Sequence, residues 1–220
     1  MLELEKFEKI HQKAQNIEGW FGENEAKLLY ELTLNKNSEA AVVEIGSWCG
    51  KSLSYIASAV QDSNSNSPIF SIDPYLTSKN EYNGKYETFV ANMTKLGFFH
   101  QITQIREKSQ RVGENFSLPI ALLFVDGFHQ YPSVKKDFEL FYPKIITNGY
   151  FVIHDVCCYE GPTRLVKEAI LEEPTFKVID FRDLSVFVQK VDSLTVQDIE
   201  TNKKFLKIIE EKSKDVSLAL

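Results

Sequence analysis

Five short apolar runs, residues 40–45, 69–72, 102–105, 120–125 and 150–153, constrain this chain most. Each is followed by a stretch with helical spacing of its apolar residues: 51–60, 82–96, 109–115, 133–141 and 163–171. Short runs of this kind read as strands, and the first, 40–45, as one buried on both faces. Strand–helix alternation then gives an α/β fold, a doubly wound and mostly parallel sheet wrapped by helices. Crossovers between parallel strands are right-handed, so the strands all end on one edge, where ligands of such sheets bind. Here they end at Glu44 and Gly46, at Asp73, at Asp126, and at His154 with Asp155. Carboxylates gathered on one edge are the main functional signal.

The flanks differ. Residues 3–35 read as two helices, with Phe7, Ile10 and Ala14 on one face, Leu28, Leu29 and Leu32 on another, and a break over 19–24. Residues 176–181 and 185–191 read as a closing hairpin. Residues 194–220 form a charged helical tail whose Ile199, Phe205, Ile208 and Ile209 pack on the core or on a second subunit, which leaves a homo-oligomer open. The expected organisation is an N-terminal helical cap (1–36), a core (37–191) and a tail (192–220).

Composition narrows the partners. The net charge of −6 offers no electrostatic footprint for nucleic acid or an anionic membrane. Sixteen Phe, 9 Tyr and 2 Trp argue against disorder. The 3 cysteines cannot build a disulfide framework or a spaced zinc site and fit a reducing compartment. With no apolar leader and no run near the ~18 residues of a membrane span, the expectation is a cytoplasmic protein.

The first strand runs into Glu44-Ile45-Gly46-Ser47-Trp48-Cys49-Gly50-Lys51-Ser52. A dinucleotide loop needs glycines where this chain has Trp48 and Lys51. A phosphate loop needs one where it has Ile45, although Gly50-Lys51-Ser52 matches its end. The pattern E/D-x-G-x-x-x-G is met in full by Glu44, Gly46 and Gly50. Its glycines let the backbone approach an amino acid-like ligand, and the following helix favours a carboxylate. Asp73, ending the second strand, suits a ribose diol.

Together with the segments Val125-Asp126-Gly127-Phe128-His129-Gln130-Tyr131 and Ile153-His154-Asp155, these residues resemble class I S-adenosylmethionine-dependent methyltransferases. The likeness is to the subgroup of macrocin-type sugar O-methyltransferases and cephalosporin-hydroxylase-like proteins. It implies a seven-stranded, Rossmann-like methyltransferase fold whose last hairpin supplies the antiparallel strand. It also implies cofactor contacts from the loop (Glu44, Gly46, Ser47, Gly50), from Asp73 at the ribose, from Ser109 near the adenine, and from Asp126 between cofactor and acceptor. A small-molecule acceptor is expected, a sugar or natural product.

Methyl transfer to oxygen needs alignment and removal of a proton, by a base or with help from a metal. His129 is the expected base, with Asp126 beside it as the second catalytic residue. Asp126, Asp155 and His154 are the candidate metal ligands. Histidine suits magnesium poorly and manganese better. The rival readings are a nucleotide-dependent transferase using Gly50-Lys51-Ser52 as a shortened phosphate loop, and a non-catalytic module that binds cofactor or sugar. Other residues have plain expectations: His11 and His100 on the surface, Cys157 and Cys158 as packing residues, Asp137 as a charge on a helix face, and Trp20 with Phe21 as an anchor for the N-terminal helices. Cys49 has no evident histidine partner that would make it a catalytic thiol.

Overall fold

The apolar runs lie side by side as strands. In the structure, a computed structural model describing residues 2–77 and 79–214, the strands are β1 (Ala41–Ile45), β2 (Ile69–Ile72), β3 (Ile102–Ile105), β4 (Ile120–Val125), β5 (Ile145–Ile153), β6 (Phe176–Arg182) and β7 (Ser185–Lys190). The helices are α1 (Leu2–Ala14), α2 (Glu23–Leu34), α3 (Lys51–Asp62), α4 (Lys85–Leu96), α5 (Ser109–Asn115), α6 (Tyr131–Phe141), α7 (Glu160–Glu172) and α8 (Val196–Lys212). The strands form one 7-stranded sheet in the order β3-β2-β1-β4-β5-β7-β6. It is parallel except at β7, which runs antiparallel to both neighbours. This is the Rossmann-like methyltransferase architecture expected from the sequence.

Alternate residues of each strand feed two apolar layers. Val42, Leu122, Phe124, Val152 and Phe187 pack under the first three helices. Val43, Leu123, Phe151 and Val188 pack under the helices of the other face. Phe7, Ile10 and Ala14 are buried in the first layer, so the N-terminal helices are joined to the core rather than set apart from it.

Several boundaries differ from the sequence reading. The helix expected from residue 82 begins at Lys85, because Gly84 takes a left-handed turn (φ 73°) and Tyr82 pairs with Leu76 in an isolated bridge. β5 begins at Ile145 and runs through Gly149, where a side chain would collide with the Ala121 carbonyl, 3.0 Å from its Cβ. The helix expected from 163 begins at Glu160. The tail helix ends at Lys212, and residues 215–220 of the expected tail lie outside the described residues.

The tail caps the sheet. Asn202 on α8 is buried, accepts from the Val178 N–H (2.9 Å) and donates to the Phe176 carbonyl (2.7 Å), so it satisfies part of the exposed edge of β6. No helix among the described residues is long and apolar enough to cross a membrane.

Candidate active site

Strand order reverses between β1 and β4. A cavity of about 420 Å³ opens at that point, on the edge where the parallel strands end. Gly46, Trp48, Asp73, Ser109, Gln110 and Asp126 are among its walls. Its shape depends on Gly46, which has φ +84°. A Cβ there would lie 2.0 Å from the Asp126 carbonyl oxygen, so the ends of β1 and β4 meet only because residue 46 has no side chain.

Asp73 braces the loop. One carboxylate oxygen accepts the N–H groups of Ser47 and Trp48, both at 2.9 Å, and the other accepts that of Tyr75 at 2.6 Å. Burial pushes its pKa up against the pull of these three N–H groups. A carboxylate has about four lone-pair directions, so one is left for a ligand.

The structure divides the expected cofactor residues. Gly46, Asp73, Ser109 and Asp126 line the cavity, whereas Glu44, Ser47 and Gly50 stand behind its wall. Glu44 is fully buried and accepts the Ser52 hydroxyl at 2.6 Å. Burial raises its carboxyl to about 8, so near pH 7 it is a neutral acid. The Ser47 hydroxyl is spent on Ser71 at 2.7 Å. Gly50 caps α3 with φ +87°. None of these three is among the residues that line the cavity. Lys51 also points elsewhere, donating to the Gly19 carbonyl at 3.0 Å, which removes the lysine that a phosphate loop requires.

Beside the cavity, Asp126, His129, His154 and Asp155 converge. His129 Nε2 is 2.8 Å from Asp155 Oδ2 and 3.9 Å from Asp126 Oδ1, without the alignment of a hydrogen bond. Its ring stacks on Tyr159 with centroids 4.1 Å apart. Burial alone would lower the His129 pKa, but the two carboxylates outweigh it and hold the ring at about 9. His154 is 2% exposed. Its Nδ1 lies 3.2 Å from Asp126 Oδ1 and 3.5 Å from Asp155 Oδ1, and its Nε2 lies 3.4 Å from Glu25 Oε1. Burial again opposes the charge, and the three carboxylates carry its pKa up to about 12. Burial pushes Asp155 up, and the two imidazoles overcome that and hold it well below the usual carboxylate range.

The backbone around this cluster is unusual. Asp155 (φ 62°) and Cys157 (φ 67°) both sit in the left-handed region, a strain that clusters at functional sites. The first turn of α7 fixes the opposite loop: a Cβ on Gly161 would lie 2.1 Å from the His129 carbonyl oxygen.

One ligand atom from each of Asp126, His154 and Asp155 lies within 4.8 Å of the others, as a bound divalent cation requires. The set has one nitrogen among its donors, which suits manganese better than magnesium. His154 Nδ1 faces both carboxylates as a proton donor, so an ion there displaces that proton.

Several expectations are corrected. Asp137 is buried, not a surface charge; it accepts from Gln110 Nε2 at 2.8 Å. Its place was legible, since Val134, Asp137 and Phe141 share the buried face of α6. His11 is half-buried, 3.0 Å from the Tyr55 hydroxyl, while His100 is exposed as expected. Cys158 is exposed rather than packed. Phe21 anchors against Phe124 and His154 (centroids 5.5 and 5.6 Å away), but its neighbour Trp20 is 78% exposed. Glu25, Gln110 and Tyr159 carried no signal, because each meets its site only through the folded chain.

Residues 43–156 match the model of a methyltransferase-domain family. Solved structures share the fold. The O-methyltransferase TomG of Streptomyces achromogenes, of tomaymycin synthesis and solved with S-adenosylmethionine, is 15% identical with a TM-score of 0.63 over 86% of this chain and 89% of its own. MycE of the mycinamycin pathway, solved with Mg, S-adenosylhomocysteine and mycinamycin VI, is 15% identical with a TM-score of 0.58 over 87% of this chain and 57% of its own. CalS11, a calicheamicin methyltransferase, is 14% identical with a TM-score of 0.54 over 86% and 92%. The matched family spans the glycine loop, Asp73, the cavity wall and the strand-end cluster, and the chain belongs to it: it is a class I S-adenosylmethionine-dependent methyltransferase.

Proposed function

We propose that the chain transfers the methyl group of S-adenosylmethionine to a hydroxyl of a small molecule, a sugar or natural product. The observation that carries this reading is the cavity at the strand reversal, with Gly46 at its floor and Asp73 and Asp126 on its walls, opening beside the His129 cluster. In it Gly46 admits the methionine part, the remaining acceptor direction of Asp73 takes a ribose hydroxyl, and Ser109 lies at the adenine. Glu44, Ser47 and Gly50 serve by shaping the loop.

The reaction is a direct displacement. The acceptor oxygen bonds the methyl carbon, the carbon–sulfur bond breaks, and the sulfonium leaves as a neutral thioether. The hydroxyl proton goes to the His129 imidazole. Only unprotonated His129 can take it, and Asp155, 2.8 Å away, holds the ring and stabilises the imidazolium that forms. Asp126, half-exposed on the cavity wall, orients the acceptor hydroxyl. Asp126, His154 and Asp155 fit a divalent ion of manganese type, which when bound would lower the pKa of an acceptor hydroxyl.

The interior of a cell fits this cofactor and the free cysteines. The test is calorimetric titration with S-adenosylmethionine and its demethylated product, with and without Mn²⁺ or Mg²⁺, followed by methyl transfer to a panel of glycosides and phenols. Binding of both forms with transfer to a hydroxyl is the expected result. Binding of ATP·Mg instead would sink the reading, and cofactor binding with no transfer would leave a binding module.

A further inference from the structure

Asp137 is a buried carboxyl that the proposed reaction does not use. It sits on α6, 2% exposed, and is turned toward α5. Gln110 Nε2 donates to its Oδ1 at 2.8 Å, and the Ser109 hydroxyl also helps to keep its charge. Ser109 and Gln110 are the first two residues of α5, and both line the cavity. The two helices cannot slide apart from this register, because Gly113 on α5 lies against α6: a Cβ there would be 2.7 Å from Phe141 and 2.9 Å from Leu140.

A primary amide has one end that donates and one that accepts. An ionised carboxylate only accepts, so Asp137 decides which end of Gln110 faces it. The NH₂ group must point to Asp137, and the carbonyl oxygen is left for the cavity. We propose that Asp137 is a positioning residue which, by fixing the Gln110 amide, makes the cavity selective for a purine that donates from its 6-position. This rests on the reading of the cavity as the S-adenosylmethionine site. Adenine carries a 6-amino donor and is accepted. Hypoxanthine carries a 6-oxo acceptor, which would face the Gln110 carbonyl and be rejected. Two acceptors facing each other in a partly desolvated wall lose a hydrogen bond and leave both unpaired.

The experiment compares S-adenosylhomocysteine with S-inosylhomocysteine by calorimetry on the full chain. The parent is expected to bind the adenosyl form at least about tenfold more tightly, the equivalent of one hydrogen bond made and not lost. Asp137→Asn presents an end that donates and an end that accepts, so Gln110 can turn over, and the ratio should fall toward one. Asp137→Ser has the same freedom and serves if the first variant does not fold. Gln110→Ala should lose the ratio as well. A folded Asp137 variant that weakens both ligands equally, with the parent's ratio intact, overturns the proposal and assigns Asp137 a packing role. So does a Gln110→Ala variant that still discriminates. In both cases tight binding of the adenosyl form leaves the cofactor reading standing, whereas a parent that binds neither ligand removes both.

Discussion

Burial raises the Asp137 carboxyl from 3.8 to about 6. The folded protein therefore takes up a proton that the unfolded chain, at the ordinary value, does not. This contribution to stability is fully present below pH 3.8 and is lost as pH rises through 6. Its full size is about 3 kcal/mol, because a tenfold change in proton affinity on folding is worth about 1.4 kcal/mol. Asp137→Asn abolishes it. Urea unfolding at pH 4.5 and 7 should therefore show the parent losing stability relative to the variant at the higher pH; parallel changes in the two proteins would contradict the burial argument. At His129 the titration bears on rate instead. With the ring held at about 9 by Asp126 and Asp155, the fraction able to accept a proton grows tenfold per pH unit below that value. The kcat/KM of the parent should rise with pH and level off above about 9. His129→Ala should lose about 10²–10⁴ in kcat and lose the slope, while S-adenosylmethionine binds as before. A variant that keeps both rate and slope removes His129 from the chemistry.

At the scale of elements, Glu25 is the tie between the N-terminal helices and the site. It lies in the first turn of α2, is 2% exposed, and accepts from the Gly22 N–H at 2.7 Å and the Ser185 hydroxyl at 2.8 Å, on the hairpin that closes the sheet. It also faces His154 Nε2 at 3.4 Å. Glu25→Ala leaves the buried Ser185 hydroxyl and the Gly22 N–H without their acceptor and removes one of the carboxylates that face His154, which should cost about 3–5 kcal/mol. Ser185→Ala removes one of these bonds and should cost about 1 kcal/mol. Chemical denaturation of both variants measures the difference. Equal costs would mean that the Glu25–His154 contact contributes nothing to coupling α2 to β5.

For the whole molecule, the two halves of the sheet meet at the cavity, so a ligand there stabilises the fold as a unit. S-adenosylmethionine at 100 times its Kd should add about 2.7 kcal/mol. For a chain of this size that raises Tm by roughly 5–10 °C, and ATP·Mg should raise it by nothing. A shift with ATP·Mg alone would return attention to Lys51, whose amine is committed to the Gly19 carbonyl. The sequence by itself determined the strands and their endings. The runs at 69–72, 102–105 and 120–125 fold with the bounds their pattern predicts, each opening on a buried isoleucine and closing where the apolar pattern stops. The edge that carries Asp73, Asp126, His154 and Asp155 follows from the hand of the crossovers. Tertiary structure alone decided which of the marked residues face the cavity. Glu44 and Asp73 both end or border a strand in sequence, yet one lies sealed under the loop and the other on the wall. It also decided the charge of His129 and His154, since the carboxylates that set it come from α2, β4 and the end of β5. Local pattern fixes burial and period along one element. Contacts between elements far apart in the chain depend on side-chain direction and packing, and those exist only once the sheet has assembled.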